Sequence, residues 1–75
     1  MRIEITLKNP PFTNFHLAKV IDFFGMRKRL YAYHIRTNIW QKVGSMESVQ
    51  VGSNLHIHLC KELTNALINH SSFKS

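Results

Sequence analysis

The chain has 75 residues, of which ten are lysine or arginine, four are acidic and one is cysteine, so its formal net charge is +6. This length accommodates one small domain, and the single Cys60 excludes an internal disulfide framework. A hydrophobic fraction of 44% argues against a disordered chain, and no run approaches the roughly 18 apolar residues of a membrane span. The composition therefore indicates a basic, one-domain protein of a reducing compartment or an organelle interior.

The first third of the chain predicts a strand followed by a helix. Residues 2–8 alternate polar and apolar side chains, which is typical of a half-buried strand. The prolines at positions 10 and 11 end this strand, because proline cannot donate to a ladder. Thr13 or Asn14 can cap the helix, and Gly25 suits the left-handed residue that closes it. The apolar stripe of this helix is formed by Phe15, Leu17, Val20, Ile21 and Phe24.

The remaining elements follow in the same alternating order. Residues 30–36 predict a second strand, and residues 37–46 a short helix capped at Thr37 or Asn38. Residues 48–51 predict a third strand, and residues 55–59 a fourth strand or a continuation of it. This order predicts an α+β fold, a small two-layer β-α-β-α-β sandwich with an antiparallel, ferredoxin-like sheet over residues 1–52. Residues 53–75 form a C-terminal extension that ends in a helix over residues 61–69 and a polar tail over residues 71–75.

Positive charge is concentrated in the middle of the chain. Residues 27–29 are all basic, Arg36 and Lys42 follow, and no acidic residue lies between positions 25 and 46. Three aromatic residues are interleaved with these cations, namely Tyr31, Tyr33 and Trp40. This pattern suits RNA contact, because cations displace counterions from phosphates and aromatic rings stack on bases. The alternative, in which the charge serves solubility alone, stays open.

Aromatic side chains are also more numerous than the core requires. We interpret Trp40 as an anchor packed against the sheet rather than as a base-stacking residue. The phenylalanines exceed what one helix face can bury, so some of them are expected to contact a partner or the C-terminal segment. The residues in question are Phe12, Phe15, Phe23 and Phe24.

Motifs for catalysis or metal binding are weak. His56 and His58 would share one face of a strand, but a metal ion would need a third ligand such as Cys60 or His34. A pair of exposed strand histidines is the favoured interpretation. No nucleophile–base arrangement, acidic pair or glycine-rich phosphate loop is present in the sequence. We therefore predict a protein that is not an enzyme and that has no catalytic residue, cofactor, metal or small-molecule substrate.

Four segments, taken together, resemble a known family. Residues 3–8 form an alternating strand of the I-T-L type, and residues 24–28 are similar to a helix end of the form L-G-L-x-K. Residues 33–38 fall where a second strand turns into a second helix, and residues 42–51 resemble a closing K-V-x-x-L-V-x-V. In this order and spacing, over residues 2–52, the chain resembles ribosomal protein L30 of the large subunit, in its bacterial and mitochondrial forms.

The resemblance implies a structural role in which the protein binds large-subunit rRNA without catalysis. Family contacts come from the loop after the first strand, the basic residues after the first helix, and the start of the second helix. By position these residues are Lys8, Asn9, Arg27, Lys28, Arg29, His34, Arg36, Thr37, Asn38 and Lys42. The extension would contact a neighbouring ribosomal protein through Leu63, Leu67 and Ile68.

Departures from the family favour an organellar setting. The loop at residues 9–12 is apolar and stiff where the family has a basic loop with glycine, and residues 53–75 have no bacterial counterpart. We therefore expect a mitochondrial ribosome in the matrix, with the cytoplasm as the alternative. The rival interpretation is a small basic module of phage or plasmid type that binds nucleic acid or protein, with no membrane contact.

Overall fold

The computed structural model describes residues 1–8 and 14–74, with side chains described as far as His70. In these residues the chain forms four strands and one α-helix: β1 (Arg2–Thr6), β2 (Phe15–Asp22), β3 (Arg27–His34), β4 (Ile39–Lys42) and α1 (Asn54–Lys74). A short 3-10 turn, Phe23–Gly25, joins β2 to β3. The α+β class is confirmed. None of the described helices is long and apolar enough to cross a membrane.

The sheet is an antiparallel meander with strand order β1-β2-β3-β4. Ile3 pairs with Val20, Ala18 with Tyr31, and Tyr33 with Trp40. Because alternate residues of a strand point to opposite sides, these residues define one face, which α1 covers and which we call the helix face. The opposite side, which no described helix or strand covers, is called the open face. It carries Arg2, Glu4, Thr6, Phe15, Leu17, Lys19, Ile21, Lys28, Leu30, Ala32, His34, Ile39 and Gln41.

The core lies between the helix face and α1. Trp40, Leu59 and Val20 are its largest fully buried side chains, and the Tyr33 ring packs against Trp40 with 5.0 Å between centroids. Burial of each large apolar side chain stabilises the fold by about 1.5–3 kcal/mol. The anchoring role of Trp40 is confirmed, although the residue lies on a strand and not on a short helix.

The predicted first helix is wrong, because residues 15–22 form the strand β2. This strand lies between β1 and β3, and its apolar side chains point to both faces: Ala18 and Val20 to one, Leu17 and Ile21 to the other. A strand that is apolar on both sides lacks the polar–apolar alternation that identifies strands in sequence. Gly25 does have a positive φ, 90°, but it closes a strand turn and not a helix.

The order of elements is therefore β-β-β-β-α, and not β-α-β-α-β. Residues 39–42 form β4 in place of the short helix, and the strand predicted at residues 48–51 is reduced to a bridge between Ser48 and Gln41. Residues 55–59 belong to α1 because Ser53 starts a helix: its hydroxyl accepts the His56 N–H at 3.2 Å. The helix predicted near residues 61–69 is confirmed and is longer than expected.

Residues from position 53 onward complete the core of the sheet. Leu59 and Leu63 of α1 are buried in the same cluster as Ala18 and Trp40. Leu63 is therefore not available to a neighbouring protein, which corrects its predicted role. Leu67 and Ile68, at 43% and 57% exposure, remain accessible on the same helix.

We expect Leu59→Ala to lower the free energy of unfolding by about 2–5 kcal/mol, because it removes a fully buried side chain at the helix–sheet contact. Urea denaturation followed by circular dichroism measures this change. Leu67→Ala on the exposed side of the helix is the matched control and should cost less than about 1 kcal/mol. Equal losses in the two variants would contradict the described packing of α1.

Candidate nucleic-acid interface

One end of the sheet collects exposed cations from three strands. β1 begins there, β2 ends there and β3 begins there. The register places Arg2 and Lys28 on either side of Ile21, in one row across the open face. They are therefore two strand spacings apart, about 10 Å. Lys19 is also exposed and lies on the same face of β2, two residues before Ile21.

Arg27 adds a fourth exposed cation at the same end, on the other side of the sheet. We call Arg2, Lys19, Arg27 and Lys28 the basic end. In the part of the chain whose side chains are described, Lys19, Arg27 and Lys28 make no salt bridge. Arg2 makes one with Glu4 at 3.4 Å, an exposed pair that contributes little stability and that a phosphate can displace, and Glu4 also lies opposite Lys19 in the strand register.

Arg29 belongs to the fold and not to this surface. Its Nη2 donates to Asp22 Oδ2 at 2.7 Å, and its Nη1 donates to the Tyr31 hydroxyl at 3.2 Å. The guanidinium also lies 5.9 Å from the centre of the Tyr31 ring. This partly buried cation is already paired, so it offers little to a phosphate.

The residues predicted to bind RNA do not form one surface. Residues 27–29 lie at one end of β3, whereas residues 36–38 form the turn to β4 at the other end. The length of β3, roughly 23 Å, separates the two groups. Lys42 ends β4, opposite Tyr31 on the helix face. Asn9 lies outside the described residues.

Two of the predicted RNA contacts take part in turn structure, Asn38 through its side chain and Lys8 through its backbone N–H only. Asn38 has a φ of 59°, and its Oδ1 accepts the Tyr33 hydroxyl at 2.6 Å, which fixes the turn between β3 and β4. The Lys8 N–H donates to His16 Nδ1 at 3.1 Å, which fixes the exit of β1. Arg36 and Thr37 are exposed in the same turn as Asn38 and remain accessible.

A hollow of about 430 Å³ occupies the middle of the open face. Its lining is mainly apolar and comes from β2 and β3, with residues 42–45 on one side. His34 and Phe15 stand at its edge with ring centroids 6.4 Å apart. A hydrogen bond of 3.0 Å between His34 Nε2 and Gln41 Oε1 orients the imidazole. Flat, apolar ligand groups fit such a hollow.

The turn between β2 and β3 lies beside the basic end and exposes large apolar side chains. Phe23 and Phe24 both have positive φ and are solvent-exposed, as is Met26 beyond them. Phe23 and Phe24 lie outside the core and Phe12 lies outside the described residues, so contact of these phenylalanines with a partner stays a prediction. Beside the turn lies a second hollow of about 660 Å³, to which Met1 and Arg2 also contribute.

Arg2 and Lys19 are members of the basic end that the sequence did not point to. Arg2 lies 25 residues before Arg27 in the chain, and Lys19 lies 8 residues before it. Only strand pairing brings them to the same end of the sheet. Position 19 did carry a signal, because Lys19 is a charged residue between the apolar residues 17–18 and 20–21 of β2. That signal has meaning only when the run is interpreted as a strand.

The two histidines of residues 56–58 lie on a helix and not on a strand. His56 and His58 lie on α1, where residues two apart point in different directions, so the predicted shared strand face is wrong. His56 instead has Nε2 3.7 Å from Cys60 Sγ, one helical turn further on. Within the described residues no group of three His, Cys, Asp or Glu side chains could hold a metal ion.

Comparison of the chain with protein-family models, curated proteins and solved structures gives no match. The resemblance to ribosomal protein L30 required a helix after the first strand, and β2 occupies that segment. The geometry of the basic end and the open face is therefore the basis for a functional proposal.

His16 should make the fold less stable in mild acid. Burial lowers the pKa of His16 below its ordinary value of 6.5, and its Nδ1 accepts the Lys8 N–H only while that nitrogen is unprotonated. The unfolded chain therefore binds this proton more readily, so stability that is present above pH 6.5 is lost as the pH falls towards the lower, folded-state pKa.

Urea midpoints measured at pH 7.5 and 5.5 test this expectation. His16→Asn should have a flatter pH dependence than the wild type, because it removes the group whose folded-state pKa is lowered. An identical pH dependence for the wild type and His16→Asn would contradict the role of His16.

Proposed function

We propose that this protein binds nucleic acid, with RNA as its target, through the basic end and the open face of the sheet. The observation that carries the proposal is the row of Arg2 and Lys28 with Lys19 beside it, on a sheet face that no described helix or strand covers. Each cation that contacts a phosphate releases counterions, and this release is the main source of affinity for a polyanion.

The open face would hold bases next to these phosphate contacts. His34 and Phe15 present rings beside the central hollow, and aromatic rings on an open sheet are surfaces on which single-stranded RNA stacks. The distance along β3 from Lys28 to His34 is about 20 Å. A short single-stranded segment can span this distance, with its phosphates at the basic end and its bases further along.

The width of the sheet favours a single strand over a duplex. Four strands place the outer two about 14 Å apart before side chains are counted. The major groove of B-DNA is about 12 Å wide and accepts an α-helix or a two-stranded ribbon. The whole open face therefore matches an unpaired strand better than it matches a duplex groove.

Membership of the large ribosomal subunit, in a mitochondrial ribosome, is the more specific form of this proposal. The small size, the charge of +6 and the L30-like sequence segments support it. The strand β2 in place of the family's first helix removes its structural support. The competing form is a phage- or plasmid-type module that uses the same basic end on another nucleic acid.

Sedimentation of a native extract through a sucrose gradient separates these two forms. A ribosomal component should migrate with the large subunit and should stay with it after a high-salt wash, because an integral protein is held by many contacts. Recovery of the protein at the top of the gradient, before as well as after the high-salt wash, would contradict the ribosomal form of the proposal. The phage- or plasmid-type module would then remain.

Lys28→Gln should weaken binding to oligouridylate severalfold and should lower the slope of log affinity against log salt by about 0.7. The physical reason is the loss of one phosphate contact at the basic end. Fluorescence anisotropy of a labelled oligonucleotide over a salt series measures both quantities. Lys61→Gln, which removes the same charge from the exposed side of α1, is the matched control and should bind like the wild type.

Two results would count against this interface. Equal losses in Lys28→Gln and Lys61→Gln would indicate attraction by net charge with no particular surface. A wild-type protein that binds neither single-stranded nor double-stranded nucleic acid at low salt would contradict the proposed function itself.

A further inference from the structure

The turn between β2 and β3 exposes side chains that proteins ordinarily bury. Phe24 is fully exposed at 108%, Met26 is 90% exposed and Phe23 is 66% exposed. These three residues are close in the chain, and they lie beside the cations of the basic end. A contiguous apolar surface of this kind usually marks a contact with another molecule.

The backbone of this turn is strained as well as exposed. Phe23 and Phe24 have φ values of 51° and 57°, and Gly25 follows with a φ of 90°. Bulky side chains avoid this left-handed region, so only Gly25 adopts it without strain. A core contact does not explain the arrangement, because both phenylalanine rings lie outside the core. Strain of this type concentrates at binding sites.

The 660 Å³ hollow beside the turn has the lining of a site for a flat ring. Phe23, Phe24 and Ile21 supply apolar surface, and Arg2 supplies a guanidinium. Aromatic rings and guanidinium groups both stack on planar π systems. Lys28 lies opposite Ile21 on the neighbouring strand, so an exposed cation stands beside the hollow.

We propose that this hollow takes one unpaired nucleobase of a single-stranded nucleic acid, stacked on Phe24 and flanked by phosphates at Arg2 and Lys28. The inference rests on the proposed function and assigns to it a base-stacking site. A stacked base would cover the exposed ring of Phe24 and remove its contact with water. Because every base has a π-face, such a site accepts all four bases with little sequence preference.

An anionic membrane could also match apolar side chains beside cations. Two observations favour a nucleobase. Phe23 and Phe24 line an open hollow together with Arg2, whose guanidinium and whose aromatic neighbours can stack on a planar base, whereas a bilayer needs only a protruding tip. In addition, Lys28 and Lys19 lie on the open face beside the turn, so a chain of phosphates that contacts them continues along the sheet.

The test uses the full chain and a single-stranded oligonucleotide that carries one 2-aminopurine, whose fluorescence reports stacking. Wild-type protein should change this fluorescence on binding. Phe24→Ala should lose the change and weaken affinity about tenfold, the order expected for loss of one base–aromatic stack. The salt dependence of binding should stay the same, because no charge is removed.

Three further variants make the result specific. Phe24→Trp keeps an aromatic ring and should retain both the affinity and the fluorescence change. Phe24→Gly accepts a φ of 57° without strain, so it should be at least as stable as the wild type and yet bind like Phe24→Ala. Met46→Ala removes a side chain that is 92% exposed elsewhere and should have no effect.

The outcomes separate this inference from the function on which it rests. Binding with a normal salt dependence that Phe24→Ala and Phe24→Gly leave unchanged would overturn the stacking site and keep the proposed function. Failure of the wild type to bind any oligonucleotide would overturn both. Binding to vesicles of phosphatidylcholine and phosphatidylglycerol, lost in Phe24→Ala, with no effect of Phe24 on oligonucleotide binding, would assign the turn to a membrane instead.

Discussion

The packing of α1 on one face of the sheet is the contact on which the rest of the structure depends. Leu59 and Leu63 close over Ala18, Val20 and Trp40, and this contact decides which side of every strand is buried. Within the described residues one helix is available to cover the sheet, so α1 buries one face, and the other, which mixes apolar and polar side chains, stays open. Because α1 packs on one side of the sheet, the open face keeps its apolar hollow and its cations at the surface.

The hairpin of β2 and β3 connects stability with the proposed function. Alternate side chains of these strands point to opposite faces of the sheet. Val20 and Tyr31 enter the core, whereas Lys19 and Lys28 face away from it. The ion pair of Asp22 and Arg29 holds the two strands together beside the turn and removes one cation from the candidate interface. The strained turn projects from the end of this paired hairpin.

Interpretation of the sequence succeeded where one local signal dominated. The strand β1 was predicted from strict alternation, the later part of α1 from helical spacing, and the positive block near Arg27 from composition. It failed at β2, whose short apolar run suits a helix as well as a two-sided central strand. It failed again at residues 55–59, where polar and apolar residues alternate as in a strand although they form the first turns of a helix that Ser53 caps.

The candidate interface was predictable only in part, for the same physical reason. The sequence by itself determined the charge, the α+β class, the burial of Trp40 and the excess of aromatic side chains over the core. Tertiary structure alone decided that Arg29 is paired, that residues 36–38 lie a strand length away, and that Arg2 and Lys19 join Lys28. Strand pairing is non-local, and a local pattern does not record which strands become neighbours or which face a helix will cover.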